Sequence, residues 1–357
     1  MIQHTLDIEV KHVQESRVGE MDTQNLQFGR IYSDHMLSAE YVDGDWRDVQ
    51  ILPYGPITMS PATTFIHYGQ SLFEGIKAYR RDDGGIYIFR PTDNWKRFNV
   101  SARRMAMAEV PEELFMEGMR KLIETDQAWV PDVEGSSLYI RPFMYATDEF
   151  IGVKPAENFR FIIITSPAGA YYSKPTRIYV QNKYVRAFPG GIGFTKAAGN
   201  YGACMLPTQE IRKAGYDQIL WTDGFTHKNV QEIGTMNVFF VLGDTVVTPD
   251  LSEGTILAGV TRDSVIHLLK EKGVKVEERP LSIDEIVDHY KRGQLREAFG
   301  AGTAAVIAPI AELFYDGETY ALPPVQDWEI ANGIKKELAD IRYGRLPDTH
   351  NWMYKVC

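Results

Sequence analysis

The sequence lacks the features that mark a membrane or secreted protein. Its longest apolar runs, such as Phe-Ile-Ile-Ile at 161–164, are far too short to span a bilayer. The first residues show no basic-then-apolar signal pattern. Only two cysteines, Cys204 and Cys357, occur among 357 residues, which predicts neither a disulfide framework nor a zinc site. A reducing cytoplasm fits this composition.

Positive charge is also scarce. The chain carries 38 lysines and arginines against 48 acidic residues, a formal net charge of −10. Phosphate backbones require a basic footprint, so this balance argues against a nucleic-acid partner. It still allows a small anionic ligand held by a few local residues. A Walker loop, an HExxH motif, a Gly-x-Ser-x-Gly elbow and a metal-spaced cluster are all missing, and we expect no metal ion.

The length of the chain predicts more than one domain, because a single core usually stops growing below this size. Strand and helix patterns alternate, which indicates an α/β protein with mixed sheets. We expect a small N-terminal α/β domain over 1–168, a link over 169–176 and a large C-terminal domain over 177–357.

Local patterns predict individual elements as well. Proline at a first helical position, glycine at turns and capping boxes are the signals used. The elements that matter below are a surface arm over 1–27, a strand at 30–32, a short helix from Thr64 to Gly75, a hairpin across 82–85, a helix opened by Pro91, a capping box at Ser282 and a glycine-rich turn over 298–305.

One stretch, 189–202, combines five glycines with a single charged residue, Lys196. Glycine allows close backbone approach to a ligand. A lysine among small and apolar neighbours is poorly hydrated, which favours the reactive free amine. Schiff-base chemistry with a carbonyl, including that of pyridoxal phosphate, needs such an amine. Taken alone, however, a solvated surface lysine is the more common situation.

A pyridoxal phosphate site needs a lysine, a carboxylate for the pyridine nitrogen, a donor to the phenolic oxygen and a phosphate-binding cup. Each requirement has a candidate elsewhere in the chain, and each candidate also has an ordinary structural explanation, so only their joint occurrence is informative. The candidates are Glu232 for the nitrogen, Tyr201 for the oxygen, and Arg97, Gly259–Thr261 and Gly302–Thr303 for the phosphate.

At these residues the chain resembles the branched-chain amino acid aminotransferases, pyridoxal-phosphate enzymes of fold type IV. The resemblance covers about 28–344 and implies a two-domain enzyme with the cofactor between the domains. The segments that carry it occur in order along the chain, and they are 32–37, 67–75, 138–142, 196–202, 232–237 and 300–304.

The resemblance implies roles around the cofactor. Lys196 would hold it covalently and carry a proton, Glu232 would pair with the pyridine nitrogen, and Tyr201 would bond the phenolic oxygen. Thr235 would lie behind the groups that contact the ring. The phosphate would be held by Arg97, by the amides of Val260 and Thr261, and by Thr303.

The resemblance also implies a substrate pocket and an oligomer. The pocket walls would be Phe28, Phe73, Tyr139 and Tyr171, while Tyr68 and the Thr303–Ala304 turn would meet the substrate carboxylate. Val153 would reach in from a partner subunit, which predicts a homodimer or a larger assembly. Two positions depart from common relatives: 305–308 lack the Cys-x-x-Cys pair of some animal enzymes, and Thr261 replaces an apolar residue.

The implied activity is transfer of the amino group of L-leucine, L-isoleucine or L-valine to 2-oxoglutarate. Arg141, two residues from Tyr139 on the same strand face, would pair with the side-chain carboxylate of glutamate. A structural salt bridge is the alternative for this arginine. Alternatives for the whole protein are a D-amino acid transaminase, an aminodeoxychorismate lyase or an inactive binding protein; the Tyr139-x-Arg141 pair and the aromatic pocket argue against the first two.

Overall fold

A computed structural model describes residues 6–169 and 174–357, which fall into two units. The first unit contains the described residues up to 169 together with Thr195–Gly199 and Asp340–Cys357. The second contains 174–194 and Asn200–Ala339. The predicted second domain, 177–357, thus includes two segments that lie in the first unit, one of which carries Lys196. The predicted link falls partly on 170–173, outside the described residues.

The first unit is built on one large sheet. Its described strands are β1 Glu9–Val10, β2 His35–Val42, β3 Asp45–Pro53, β4 Ser71–Phe73, β5 Ile76–Arg80, β6 Ile86–Phe89, β7 Ser137–Ala146, β8 Phe159–Ala168 and β18 Met353–Lys355. Their order is β1-β3-β2-β8-β7-β5-β6-β18, with β4 added to β7. The pairs described are antiparallel apart from β1 with β3. β4 and β5 therefore pair with successive stretches of the same edge of β7, one after the other.

Three α-helices lie wholly within the described part of this unit: α1 Thr64–Tyr68, α2 Pro91–Arg104 and α3 Glu112–Thr125. The apolar faces of α2 and α3 pack on the sheet, where the rings of Phe98, Phe115 and Phe161 meet at centroid distances of 5.5–5.8 Å. Contact among large aromatic rings buries much apolar area and gives the unit a rigid core. The buried polar side chains of α2, among them Asn94, Arg97 and Ser101, are therefore held in fixed positions.

The second unit contains a second mixed sheet. Its described strands are β9 Thr176–Val180, β10 Gln218–Thr222, β11 Val230–Ile233, β12 Asn237–Leu242, β13 Thr245–Thr248, β14 Lys275–Glu278, β15 Leu295–Gly302, β16 Val306–Tyr315 and β17 Glu318–Ala321. They run in the order β11-β10-β9-β16-β15-β12-β13-β14, with β17 on β16. The remaining described helices are α4 Gly199–Gly202, α5 Met205–Lys213, α6 Val260–Glu271, α7 Ile283–Lys291 and α8 Ile330–Arg342.

Several predicted elements are confirmed. Pro91 is the first residue of α2, and β5 and β6 form the predicted hairpin. The helix predicted to start at Ser282 is also present, and the Ser282 hydroxyl caps it by accepting a hydrogen bond of 3.1 Å from the Glu285 amide. The Glu285 carboxylate, which a full capping box would turn back to the Ser282 amide, accepts hydrogen bonds from Arg279. No helix within the described residues has the length and apolar character needed to cross a membrane.

Other predicted elements are wrong in detail. The helix expected from Thr64 to Gly75 ends at Tyr68, because Gly69 adopts a left-handed conformation (φ 67°) that terminates it, and β4 follows. Residues 30–32 are not a strand. The glycine-rich turn expected over 298–305 lies mostly within β15. There, a Cβ on Gly300 would come within 2.8 Å of the Met236 side chain, so this glycine serves close packing.

The predicted surface arm is anchored more firmly than expected. Within 6–27, β1 pairs with β3 and the side chains of Ile8, Val10 and Val18 pack on the core. His35, buried in β2, accepts a hydrogen bond from the Val13 amide at 3.0 Å. The arm is therefore part of the first unit's structure.

Candidate functional site

Lys196 lies in a short segment that pairs with β4. The Phe73 amide donates to the Lys196 carbonyl at 3.2 Å, and the Ala198 amide donates to the Ser71 carbonyl at 3.0 Å. On its other side the Lys196 amide donates to Ser101 Oγ of α2 at 3.0 Å. Three hydrogen bonds thus hold the backbone around Lys196 in place. From the sequence alone, this glycine-rich segment would be assigned to a loop.

The Lys196 side chain is half-buried against an aromatic ring. Its Nζ atom lies 4.9 Å from the centroid of Phe73, a distance at which a ring face attracts a cation. The structure therefore brings together two residues that the sequence assigned separately, one to the cofactor and one to the pocket wall.

Arg97 is buried on α2 and bound side-on by Glu74. Its Nε donates to Glu74 Oε1 at 2.8 Å and its Nη2 donates to Oε2 at 2.9 Å. Asn94 Nδ2 adds a bond of 2.8 Å to the same carboxylate. Burial alone would raise the pKa of Glu74, but the charges of Arg97 and Lys196 and these hydrogen bonds outweigh it and lower that pKa. Glu74 is therefore an ionised partner of Arg97.

The predicted pocket walls Phe28, Phe73 and Tyr139 form one cluster with Arg141. Phe28 and Tyr139 meet edge-to-face at a centroid distance of 4.7 Å. The Arg141 guanidinium lies 4.4 Å from the centroid of Phe73, and its Nη2 donates to Tyr139 Oη at 2.9 Å. Among the described residues, no carboxylate lies within ion-pair distance of Arg141. This geometry disfavours a structural salt bridge for that arginine.

The tyrosine in this cluster is confined by a glycine. A Cβ atom on Gly75 would lie 2.3 Å from Tyr139 Oη, closer than real Cβ atoms come to another heavy atom. The hydroxyl that receives the Arg141 hydrogen bond can therefore occupy its place only because residue 75 has no side chain.

Three other predicted substrate residues lie elsewhere. Tyr68 ends α1 with 42 % of its surface exposed, and Val153, between β7 and β8, is 90 % exposed. Within the described part of the chain, neither belongs to the cluster around Tyr139. Tyr171 falls outside the described residues.

In the second unit, Glu232 lies within β11, shortly before β12. Its Oε1 accepts a hydrogen bond of 2.7 Å from the Leu257 amide, and Arg186 Nε lies 3.3 Å from its Oε2. Both side chains are buried. Arg186 also donates to the backbone carbonyls of Gly193 and Thr255. The hydrogen bond from the Leu257 amide and the positive charge of Arg186 stabilise a negative charge on Glu232.

The start of α6 is linked to Glu232 by hydrogen bonds through Leu257 and Asn237. Val260 and Thr261 are buried in its first turn after the N-cap Gly259. Asn237 Nδ2 donates to the Leu257 carbonyl at 2.9 Å, while a Cβ on Gly259 would lie only 1.9 Å from Asn237 Oδ1. A glycine is required there, and the helix amides keep one position relative to Glu232.

The remaining predicted cofactor residues lie on turns and a short helix of the second unit. Tyr201 is half-buried in α4, next to Asn200, whose Nδ2 donates to the Ile192 carbonyl at 2.9 Å. Thr235 is exposed in the turn between β11 and β12. Thr303 and Ala304 are half-buried in the turn after β15. All of these residues belong to one unit.

Comparison with known proteins identifies the family. The model of the family described as amino-transferase class IV matches residues 71–313. The chain belongs to the class IV amino-transferase family. The match spans β4, α2 and the lysine segment of the first unit together with Glu232 and α6 of the second.

Relatives of this class IV chain carry a consistent description. The chain is 46 % identical over 340 residues to a "probable branched-chain-amino-acid aminotransferase" of Staphylococcus aureus (strain MRSA252), covering 94 % of each chain. It is 44 % identical to "branched-chain-amino-acid transaminase 1" of Bacillus subtilis (strain 168), covering 94 % of this chain and 95 % of that one.

A solved structure is similar as well. The branched-chain amino acid aminotransferase from Thermobaculum terrenum, in its PLP-form, has a TM-score of 0.72 and 26 % identity, covering 91 % of this chain and 98 % of that one. The mixed α/β fold expected from the sequence, with two sheets, is confirmed as that of the class IV family.

Sequence reasoning missed four residues in this class IV chain that hold others in place. They are Glu74, Ser101, Arg186 and Asn237. A signal existed for one of them, since Ser101 follows Arg97 by four positions on the helix opened by Pro91 and so shares its face. The partners of Glu74 and Arg186 depend on sheet packing, and no local pattern reveals them.

Proposed function

We propose that the protein transfers the amino group of L-leucine, L-isoleucine and L-valine to 2-oxoglutarate, giving branched-chain 2-oxo acids and L-glutamate. The observation that carries this proposal is the position of Arg141 among the rings of Phe73 and Tyr139. A pocket of this kind accepts an apolar side chain against its rings and a carboxylate against its arginine. The branched-chain names of the relatives from Staphylococcus aureus and Bacillus subtilis agree with it.

The cofactor is pyridoxal 5'-phosphate, and the residues present fit it. Bound pyridoxal phosphate supplies an electron sink that weakens the bonds at the α-carbon of an amino acid. The first unit offers the half-buried amine of Lys196 and a buried arginine. The second offers a buried carboxylate and a helix start at which a Cβ on residue 259 has no room. The residues proposed to hold the cofactor are Lys196, Arg97, Tyr201, Glu232, Thr235, Val260, Thr261 and Thr303.

Three of these residues act on protons and charge. Lys196 Nζ holds the cofactor covalently and moves a proton to and from the substrate. Glu232, with Arg186 Nε at 3.3 Å and the Leu257 amide at 2.7 Å, bonds the pyridine nitrogen and keeps its proton in place. Tyr201 donates to the phenolic oxygen.

Arg141 has a second state available in this pocket. Its Nη2 bond to Tyr139 Oη at 2.9 Å and its contact with the Phe73 ring partner the guanidinium while an apolar side chain occupies the pocket. When glutamate occupies the pocket, its side-chain carboxylate pairs with the Arg141 guanidinium. The other proposed substrate contacts are Phe28, Tyr68, Val153, Tyr171, Thr303 and Ala304.

We also propose that the protein works as a homodimer in the cytoplasm. Phe150, Ile151 and Val153 are exposed apolar side chains on a single loop, and exposed apolar patches mark interaction surfaces. The loop is held by a hydrogen bond from the Phe150 amide to the Ala62 carbonyl at 3.1 Å. A second copy that covers this loop would remove Val153 from water.

A substrate panel tests the activity. L-leucine, L-isoleucine, L-valine and D-alanine are each offered with 2-oxoglutarate, and glutamate formation is followed. All three branched L-amino acids should react, because an apolar pocket separates substrates that differ by one methylene only about 10–200-fold. Activity with D-alanine alone would support the D-amino acid transaminase, and an absorbance spectrum unchanged by borohydride would support the inactive protein. Gel filtration with light scattering tests the dimer.

A further inference from the structure

Glu74 is the most deeply buried acidic side chain next to the proposed phosphate-binding arginine, and the proposed reaction assigns it no role. It follows β4 directly and has no exposed surface. Its backbone amide donates to the Pro142 carbonyl of β7 at 2.7 Å, and its Oε2 accepts from the Gly75 amide at 3.1 Å. The backbone of Glu74 and its carboxylate are therefore both held in place at the sheet.

The contact with Glu74 fixes the orientation of the Arg97 guanidinium and also balances its charge. Arginine presents a planar fork of donors on a flexible stem, and two parallel hydrogen bonds to one carboxylate fix the plane of that fork. Glu74 takes the edge formed by Nε and Nη2, at 2.8 and 2.9 Å. The edge that includes Nη1 is consequently turned away from the carboxylate.

The same hydrogen-bond network includes the backbone of Lys196. Asn94, Arg97 and Ser101 share one face of α2, and Ser101 Oγ donates to the Arg97 carbonyl at 3.1 Å while accepting from the Lys196 amide at 3.0 Å. The residue preceding Glu74, Phe73, donates its amide to the Lys196 carbonyl. A shift of Glu74 would therefore be transmitted to both Arg97 and Lys196.

We propose that Glu74 is a positioning residue that orients the Arg97 guanidinium for the phosphate group of the cofactor. This inference rests on the proposed role of Arg97. It has a distinctive consequence, because charge and orientation predict opposite effects. Neutralising Glu74 makes its surroundings more positive, which by Coulomb attraction alone would tighten the binding of an anion. A loss of orientation would weaken it.

The test measures dissociation constants of the apoenzyme for pyridoxal phosphate and for pyridoxal, which lacks the phosphate. In Glu74→Gln, pyridoxal phosphate should bind about 10-fold more weakly or worse, on the scale of a charged hydrogen bond, while pyridoxal changes less than about 3-fold. Glu109→Gln is the matched control, because it removes the partner of Arg103 at the exposed end of the same helix. The control should leave both constants unchanged.

Glu74→Asp keeps the charge and is the second variant, should Glu74→Gln fail to fold. Its shorter side chain withdraws the carboxylate from Arg97, so orientation predicts the same selective loss for pyridoxal phosphate. Unchanged or tighter binding of pyridoxal phosphate in both variants, or unchanged binding in Glu74→Asp alone, would overturn the inference. Equal losses for both ligands would do so too, since they indicate a structural role only.

Arg97→Lys separates this inference from the proposed function. If Arg97→Lys leaves the affinity for pyridoxal phosphate unchanged, the assignment of Arg97 to the phosphate fails. If it weakens that affinity while Glu74→Gln does not, only the role of Glu74 fails. When both hold, Glu74→Gln should add less than about 3-fold in the Arg97→Lys background, because residues in one network are not additive.

Discussion

Each unit buries one arginine–glutamate pair, and the proposed function assigns the two pairs opposite roles. In the first unit Arg97 is the proposed ligand contact and Glu74 holds it, with an Nε–Oε1 distance of 2.8 Å. In the second unit Glu232 is the proposed ligand contact and Arg186 lies beside it, with an Nε–Oε2 distance of 3.3 Å. The same two residue types thus prepare one position for an anion and one for a cation.

The supporting contacts differ in kind. Glu74 receives two parallel bonds from Arg97, one from Asn94 and one from a backbone amide, so it orients its partner. Glu232 accepts a hydrogen bond from the Leu257 amide and forms an ion pair with Arg186, and both contacts stabilise its negative charge. The first pair should accordingly govern cofactor affinity, and the second should govern turnover.

The largest expected effect comes from Lys196, which is proposed to hold the cofactor that both pairs contact. Lys196→Ala should keep the fold, because its backbone hydrogen bonds remain, but it should lose covalent attachment and reduce turnover by more than about 1,000-fold. The measurement is kcat together with the absorbance of the purified protein. Lys213→Ala, an exposed lysine on α5, is the control, and normal turnover in Lys196→Ala would remove the basis of the comparison.

Glu232→Gln tests the second pair. The amide is nearly isosteric but carries no charge, so the cofactor should still bind while kcat falls about 100-fold, as for other groups that stabilise charge in a transition state. Cofactor titration and steady-state kinetics provide the two readouts. An unchanged kcat with a raised KM would show that Glu232 takes no part in the chemical step. The proposed difference between Glu232 and Glu74 would then be wrong.

Arg141→Met tests whether a half-buried arginine outside both pairs serves substrate choice. The 2-oxoglutarate half-reaction should slow by about 10-fold or more, and the leucine half-reaction should change much less. Single-turnover kinetics of each half-reaction measure this difference. Arg80→Met on β5, which removes donors to the Gln127 carbonyl, controls for loss of a structural arginine. Equal losses in both half-reactions would contradict the proposed role.

The smallest expected effect concerns stability, at a buried cation outside both pairs. Burial and the nearby Arg342 charge lower the pKa of Lys77 to about 7. Between that value and the ordinary pKa of lysine, the unfolded chain binds more protons than the folded one, so stability rises with pH across this interval. Below about pH 7 the full penalty remains.

Lys77→Met should therefore be more stable than the parent at pH 6–7, by a few kcal/mol at most, since one pKa unit corresponds to about 1.4 kcal/mol. Its advantage should shrink as pH approaches 10. Urea denaturation midpoints across this range provide the measurement, and Lys355→Met, at an exposed lysine on β18 of the same sheet, is the control. A difference that is constant with pH would show that Lys77 is not titrating near neutrality.

The sequence by itself determined the features that depend on neighbouring residues. Proline at the start of α2, the N-cap at Ser282 and the hairpin of β5 and β6 all follow from local backbone preferences. The glycine-rich setting of Lys196 and the ordered motifs were also enough to reach the family, the fold class and the proposed cofactor. Local signals failed where a glycine served packing, as at Gly300 in β15.

Only the tertiary structure decided how distant residues are paired. Glu74 with Arg97, Glu232 with Arg186, and Lys196 with Phe73 each join segments that are separate in the chain. Such contacts depend on strand order and register, which are set by packing of whole sheets and not by the pattern within one segment. For the same reason the lysine segment, placed by its position in the sequence with the second domain, lies in the first unit, where β4 and Ser101 supply its hydrogen bonds.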